Sequence, residues 1–414
     1  MESIQITEIK VNGKCVDIYF NLSKGLEKFF LPEHHFFTEY TFEVTDIPKS
    51  VLVVPLLLNL LPFSWLVDCV IWIDEIDEDF YNCIQPLKTA FRELHSNIDF
   101  GGTLIAAKRV KNSFVFNNQA LQLFTGGVDA TTTTIRIIDK KPILFNTNGW
   151  YLNQSDEENK VYDADVSAIE KIASSLSLES YFVKSNFVRF IISSNVDKEF
   201  CNDKNTTWWF GFQHPMAFIG CAMVAAYKFS VETVYIASSY TFGQYIICVS
   251  DPRIDNCIKC AGISTIHDGY ELSRQAKVKK LVEYHNQSDM DMFLRVCSFN
   301  TKNCCECEKC FRSMLALIAE GVDDLSEYGF YFEGDFLNLL KTFITKNAME
   351  LDSNHIVFWN DIIKDMKDNY ENLAHKDVCD YLLNIDLEKV RRKAILNHYK
   401  KDWKEIIKRK IFKI

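Results

Sequence analysis

Between residues 118 and 320 the sequence alternates short strand-like runs with longer amphipathic ones, and no other feature limits the fold so tightly. Leu121-Gln-Leu-Phe124, Ile135-Arg-Ile-Ile138, Pro142-Ile-Leu-Phe145, Phe187-Val-Arg-Phe-Ile-Ile192 and Thr233-Val-Tyr-Ile-Ala237 read as strands. Asp165–Leu176, capped by Asp165 and carrying Ile169, Ile172 and Ala173, reads as a helix. So do Pro215–Tyr227, with proline in its first turn, and Ser273–Tyr284. Successive strands joined by helices must run parallel, and their helices cover both faces. The expected fold is therefore α/β with a parallel sheet.

The flanks read differently. Residues 1–115 suggest an α+β accessory region. Ile6–Val11 and Cys15–Phe20 flank Asn12-Gly13 as a hairpin, and Val70-Ile-Trp-Ile73 is strand-like. Asp79–Ser96 sets Phe80, Ile84, Leu87 and Phe91 on one helical face, with Pro86 expected to kink or restart the helix. From residue 324 to 414 the pattern is helical and polar, over Phe336–Thr345, Ile356–Asn369, Lys376–Asn384 and Leu387–Arg409. The expected division is 1–115, 118–320 and 324–414, in line with a chain of 414 residues. Val51–Val67 is 17 residues without a charge, but it holds Pro55, Asn59 and Pro62 and falls short of the roughly 20 residues of a span. It is expected in a core, and membrane insertion is not expected.

The net charge of −10 is uneven: eleven Lys/Arg and two acids after residue 388 make that end +9 and leave about −19 for the rest. An acidic body argues against general nucleic-acid binding. The basic end, Arg391-Arg392-Lys393 through Lys408-Arg409-Lys410, reads as a solvated helix terminus, or as a contact for RNA, lipid or an acidic partner. Fourteen cysteines, four of them crowded into Cys304–Cys310, and a Met1-Glu-Ser-Ile start without a secretory pattern fit a reducing cytoplasm and a metal site.

The sharpest chemical feature is Cys304-x-x-Cys307-x-x-Cys310. Thiolates bind zinc tetrahedrally, and this spacing lets one turn supply several ligands. Cys297 is the preferred fourth ligand, with Cys305, Cys257 and Cys260 as competitors; reduced core cysteines and a redox pair at Cys257/Cys260 are the alternatives.

The second feature is a strand ending in Thr125-Gly126-Gly127-Val128-Asp129, followed by Thr131–Thr134. Paired glycines admit an anion close to the backbone, hydroxyls at Thr125, Thr131 and Thr132 add donors, and Asp129 offers a hard carboxylate to Mg2+. A tight turn with capping threonines looks the same. The segment resembles the Ser-Gly-Gly-x-Asp-Ser signature of the PP-loop ATP pyrophosphatases, with Thr125 for the first serine and Ala130 in place of the second. No Gly-Lys-Ser/Thr follows, so a Walker-type P-loop is not indicated. The cysteines extend the likeness: Val296-Cys297…Cys304-Cys305-Glu306-Cys307-Glu308-Lys309-Cys310-Phe311-Arg312 is similar to the zinc motif of the cyano-deazaguanine synthases, with Cys305 at that motif's glycine. The resemblance spans roughly residues 120–320.

What the resemblance implies is a Rossmann-like PP-loop domain that binds ATP through Thr125, Gly126, Gly127, Val128, Asp129 and Thr131, with Mg2+ at Asp129 and structural Zn2+ on Cys297, Cys304, Cys307 and Cys310. The implied reaction is adenylation of a carboxylate or carbonyl oxygen of a small molecule or protein terminus, then attack by a nitrogen nucleophile. Arg274 and Lys277, on the first turn of the helix after Ile266-His267-Asp268-Gly269, would hold pyrophosphate, or else form a solvated helix face. Trp208-Trp209-Phe210-Gly211-Phe212 would stack a purine or pack a core. Residues 1–115 are open to a protein partner, and a homodimer is compatible with the sequence. Two rivals stand beside this reading: a sulfur-transfer enzyme on RNA using Cys257 or Cys260, and a non-catalytic binding module, which Ala130 favours.

Overall fold

The computed structural model describes residues 2–150, 152, 155–202, 206–244, 246–288, 292–297 and 300–398. The chain forms two compact units, Met1–Ser273 and a second beginning at Arg274.

The first unit is α/β. Among the described residues its strands are β1 (Ser3–Asn12), β2 (Cys15–Leu22), β3 (His35–Tyr40), β4 (Val70–Asp77), β5 (Thr103–Val110), β6 (Leu121–Leu123), β7 (Ile143–Asn148), β8 (Ser180–Ser185), β9 (Thr233–Ala237), β10 (Lys259–Cys260) and β11 (Ile263–Asp268). They form one mostly parallel sheet in the order β10-β11-β9-β6-β7-β8-β3-β2-β1-β4-β5. From β11 to β8 every neighbouring pair is parallel. β3 then pairs antiparallel with β8, Thr38 opposite Ser185, and extends the sheet into the β3-β2-β1 meander. The expected boundary near residue 115 therefore falls inside one sheet. Strand patterns in a sequence name the strands and not their partners, so the β3–β8 seam has no local signature.

The hairpin expected at Asn12-Gly13 is present, with Gly13 at φ +60°. The apolar run forms the helices Lys49–Leu52 and Val54–Val67, buried from Ser50 to Leu66. Helix His214–Lys228 packs along it; a Cβ on Gly220 would lie 2.8 Å from the Pro55 Cα, so glycine permits the approach. No described helix is long and apolar enough to cross a membrane. Pro86 sits inside an unbroken helix, Glu78–Leu94, where a kink or restart was expected.

Three other expectations need correction. Ile135 and Arg136 end a helix and Ile138 lies in a single 3-10 turn, so no strand forms there; Ile137 instead packs with Ala120 and Tyr235. Phe187–Ile192 is a turn after β8 whose Phe187 and Phe190 are core anchors, and only Ile191 makes a bridge, to Phe30. Strand propensity there records burial, which a turn satisfies equally well. The helix expected from Asp165 begins at Asp156, where Ser155 accepts the Glu158 amide at 3.1 Å in a Ser-x-x-Glu start.

The second unit is helical: Arg274–Ser288, Glu308–Ala319, Phe336–Asn347, Ser353–Asp368, Lys376–Leu383 and a helix over 387–398. The rest of the expected helix to Arg409, with Lys408-Arg409-Lys410, lies outside the described residues. Trp359 and Phe343 are buried in this unit and stack at 6.0 Å. The cysteine segment belongs to this unit and not to the one carrying the glycine turn.

Candidate functional site

β6 runs into Phe124-Thr125-Gly126-Gly127, and the helix Val128–Arg136 starts directly behind it. Gly126 adopts φ +78°, a conformation open at little cost only to glycine. Gly127 is the N-cap, with extended backbone. Phe124 is fixed from both sides: its amide donates to Phe145 O at 2.9 Å and its carbonyl accepts from Asn146 Nδ2 at 2.8 Å. The turn lies at the carboxyl end of β6, the strand from which the chain goes first to β7 and β8 on one side, then returns to β9 and β11 on the other. That is a topological switch point, where parallel sheets open a crevice for ligands.

Thr125 is exposed and Asp129 half-buried on the first helical turn. Thr131 and Thr132 do not offer their protons to a ligand. Both are buried, and their hydroxyls donate to Gly127 O and Val128 O, each at 2.9 Å. Thr134 Oγ1 donates to Gln122 Oε1 at 2.8 Å, and Gln122 Nε2 donates to Ala130 O at 2.6 Å. Ala130 is itself buried.

The end of β11 faces this helix. Asp268 Oδ2 accepts from Thr133 Oγ1 at 2.8 Å and pairs with Arg136 Nε at 3.1 Å; Arg136 Nη2 also reaches Glu271 at 2.7 Å. His267 Nδ1 bonds Asp255 Oδ2 at 2.7 Å with both side chains buried, and burial raises the Asp255 carboxyl above its usual range. From sequence these residues are placed only ahead of a helix; His267 and Asp268 end β11, whose local signal is no more than the β-branched Ile263, Thr265 and Ile266. Arg274 and Lys277 stand on helix Arg274–Ser288, in the other unit from the glycine turn, and Lys277 is buried. Of the aromatic run, Trp208 and Phe212 are core. Trp209 is half-buried and meets Trp150, which follows β7, edge to face at 5.1 Å.

In the second unit the Sγ atoms of Cys297, Cys304, Cys307 and Cys310 all lie within 4.8 Å of one another, and Cys304 and Cys310 are 3.8 Å apart. Ligands about 2.3 Å from a tetrahedral zinc stand about 3.8 Å apart, so the set can hold a metal ion such as zinc. Asn303 builds the loop: its Oδ1 accepts the amides of Val296 and Cys297, and its Nδ2 donates to Leu294 O and Gly329 O. Cys307 is the N-cap of helix Glu308–Ala319, and Cys310 lies on its first turn, where the helix dipole favours thiolate. Hydrogen bonding from Cys310 pulls Cys307 down to about 5 despite burial, while burial pushes Cys304 up to about 11. Behind the cluster, Glu308 pairs with Arg312 at 3.0 Å and accepts Trp359 Nε1 at 3.0 Å. Cys305 is not part of the set: it sits at φ +55°, a left-handed conformation that favours glycine, with its thiol towards Asn303 O. Cys257 donates to Arg253 O at 3.0 Å and Cys260 is buried, and among the described residues neither joins a metal-ligand group.

No protein-family model matches the chain, and no curated protein matches it by sequence. The fold and sites define an α/β protein with a large, mostly parallel sheet, a glycine turn at its switch point, and a second, helical unit bearing a four-cysteine cluster.

Proposed function

We propose that the first unit binds ATP with Mg2+ at Thr125-Gly126-Gly127-Val128-Asp129, as in the PP-loop class, and that the chain adenylates a carboxylate or carbonyl oxygen for attack by a nitrogen nucleophile in the cytoplasm. The observation that carries this reading is the position of the glycine turn, at the start of a helix and at the switch point of the parallel sheet. The open backbone and first-turn amides would take the phosphates, Thr125 would add a donor, and Asp129 would hold the cation. Adenylation replaces a poor oxide leaving group by AMP, so the protein's share is orientation and charge stabilisation. The four cysteines would bind zinc as a structural ion, since four thiolates leave no open position.

A sulfur-transfer role is disfavoured because burial raises both candidate thiols, Cys260 well above the usual range and the half-buried Cys257 to a lesser degree, which suppresses the thiolate that such chemistry needs. A non-catalytic nucleotide-binding module is the second reading, and the Thr131 bond to Gly127 O favours it: with alanine at 130, neither hydroxyl proton after Asp129 is free for phosphate. Incubation with labelled ATP, Mg2+ and a panel of carboxylates and amines decides. AMP with pyrophosphate supports the synthetase, binding without cleavage supports the module, and ADP formation excludes the PP-loop reaction.

A further inference from the structure

We infer that Asp268 is a positioning residue for the anion cradle: from the end of β11 it fixes the helix that begins at the glycine turn. The inference rests on the reading of that turn given above.

The helix Val128–Arg136 has little intrinsic stability. It has nine residues, six of them β-branched (Val128, Thr131–Thr134 and Ile135), and isolated helices shorter than about 12 residues are marginal even with good formers. Three of its threonines, Thr131, Thr132 and Thr134, also bond back to carbonyls four residues earlier, which weakens helices further. Its place is therefore set from outside, by two polar anchors. Gln122, on its own strand, holds Ala130 O and Thr134. Asp268, on a strand two positions away across the switch point, holds Thr133 and Arg136. Thr133 and Arg136 lie three residues apart on one helical face, so a single carboxylate fixes the rotation of the helix about its axis. Rotation decides where the amides of Val128 and Asp129 point.

The same contacts solve an electrostatic problem. A lone carboxylate at the crevice would repel phosphates, and the Arg136 guanidinium, shared with Glu271, offsets part of its charge. Arg136 also ties the helix to Glu271, in the segment leading from β11 to Arg274.

Hydrogen exchange on the full chain tests this without assuming a ligand. In Asp268→Ala and Thr133→Val, amides 131–136, the first of them bonded to Gly127 O, should exchange about tenfold faster or more, while amides of β7 and β8 keep wild-type rates. Thr133→Ser, which retains the hydroxyl, should match wild type. Affinity for a fluorescent ATP analogue with Mg2+ should fall in the same two variants and hold in Thr133→Ser. If Asp268→Ala does not fold, the near-isosteric Thr133→Val carries the comparison. Unchanged exchange at 131–136 in the folded variants overturns the inference. If wild type binds no nucleotide while the local loss of protection occurs, the positioning role stands and the ATP reading fails.

Discussion

Gln213 Nε2 lies 2.8 Å from Asn59 Oδ1, joining the one amide of a buried apolar helix to the residue that precedes helix His214–Lys228. The same nitrogen donates to Phe187 O at 2.7 Å, and Asn59 Nδ2 donates to Pro55 O at 2.8 Å. Both side chains are buried, so these bonds replace water outright. Gln213→Ala should then cost on the order of 2–3 kcal/mol, since two acceptors lose their donor. Asn59→Leu should cost less, because Gln213 keeps Phe187. Urea unfolding of both variants checks the order, and equal losses would contradict it.

The cysteine cluster should carry about one equivalent of zinc in protein purified without added metal. Cys307→Ser should lose the metal and lower Tm, because site and surrounding loop form together. Cys257→Ser should keep full zinc content. Metal analysis by mass spectrometry measures both, and metal-free protein of unchanged Tm would remove the site.

Asp129→Asn preserves shape and removes the charge proposed to hold Mg2+. ATP turnover should fall by about a hundredfold or more. Ala130→Ser should leave turnover equal or raise it. An Asp129→Asn protein that cleaves ATP like wild type would contradict the role given to Asp129.

His214 is held below its usual range, at about 4, by burial, among the rings of Trp209, Phe210 and Phe218. A histidine depressed on folding binds its proton in the unfolded chain first, so acid favours unfolding as pH drops from about 6.5 to about 4. The Tm advantage of His214→Phe over wild type should therefore grow across that window and level off below it. Thermal melts of both proteins from pH 7.5 to 4 test the sign; a constant difference would count against it.

Amino-acid sequence alone determined the features that depend on neighbours along the chain. The hairpin at Gly13, β6 and its glycine turn, β9, and the apolar run as core all follow from local periodicity and backbone freedom. So does the triplet Cys304, Cys307 and Cys310 as metal ligands; sequence leaves the fourth place between Cys297 and its competitors, and the fold groups Cys297 with the triplet. Tertiary structure decided what depends on distant partners. It joined β3 to β8 and so fused the first 115 residues to the loop-bearing strands. It made a turn anchor of Phe187 where strand propensity spoke for pairing, and it assigned the cysteines to the helical unit. It brought Asp268 to Thr133 across 135 residues of sequence. A contact of that kind leaves no periodic trace, since its free energy comes from burial and pairing that exist only once the sheet has assembled.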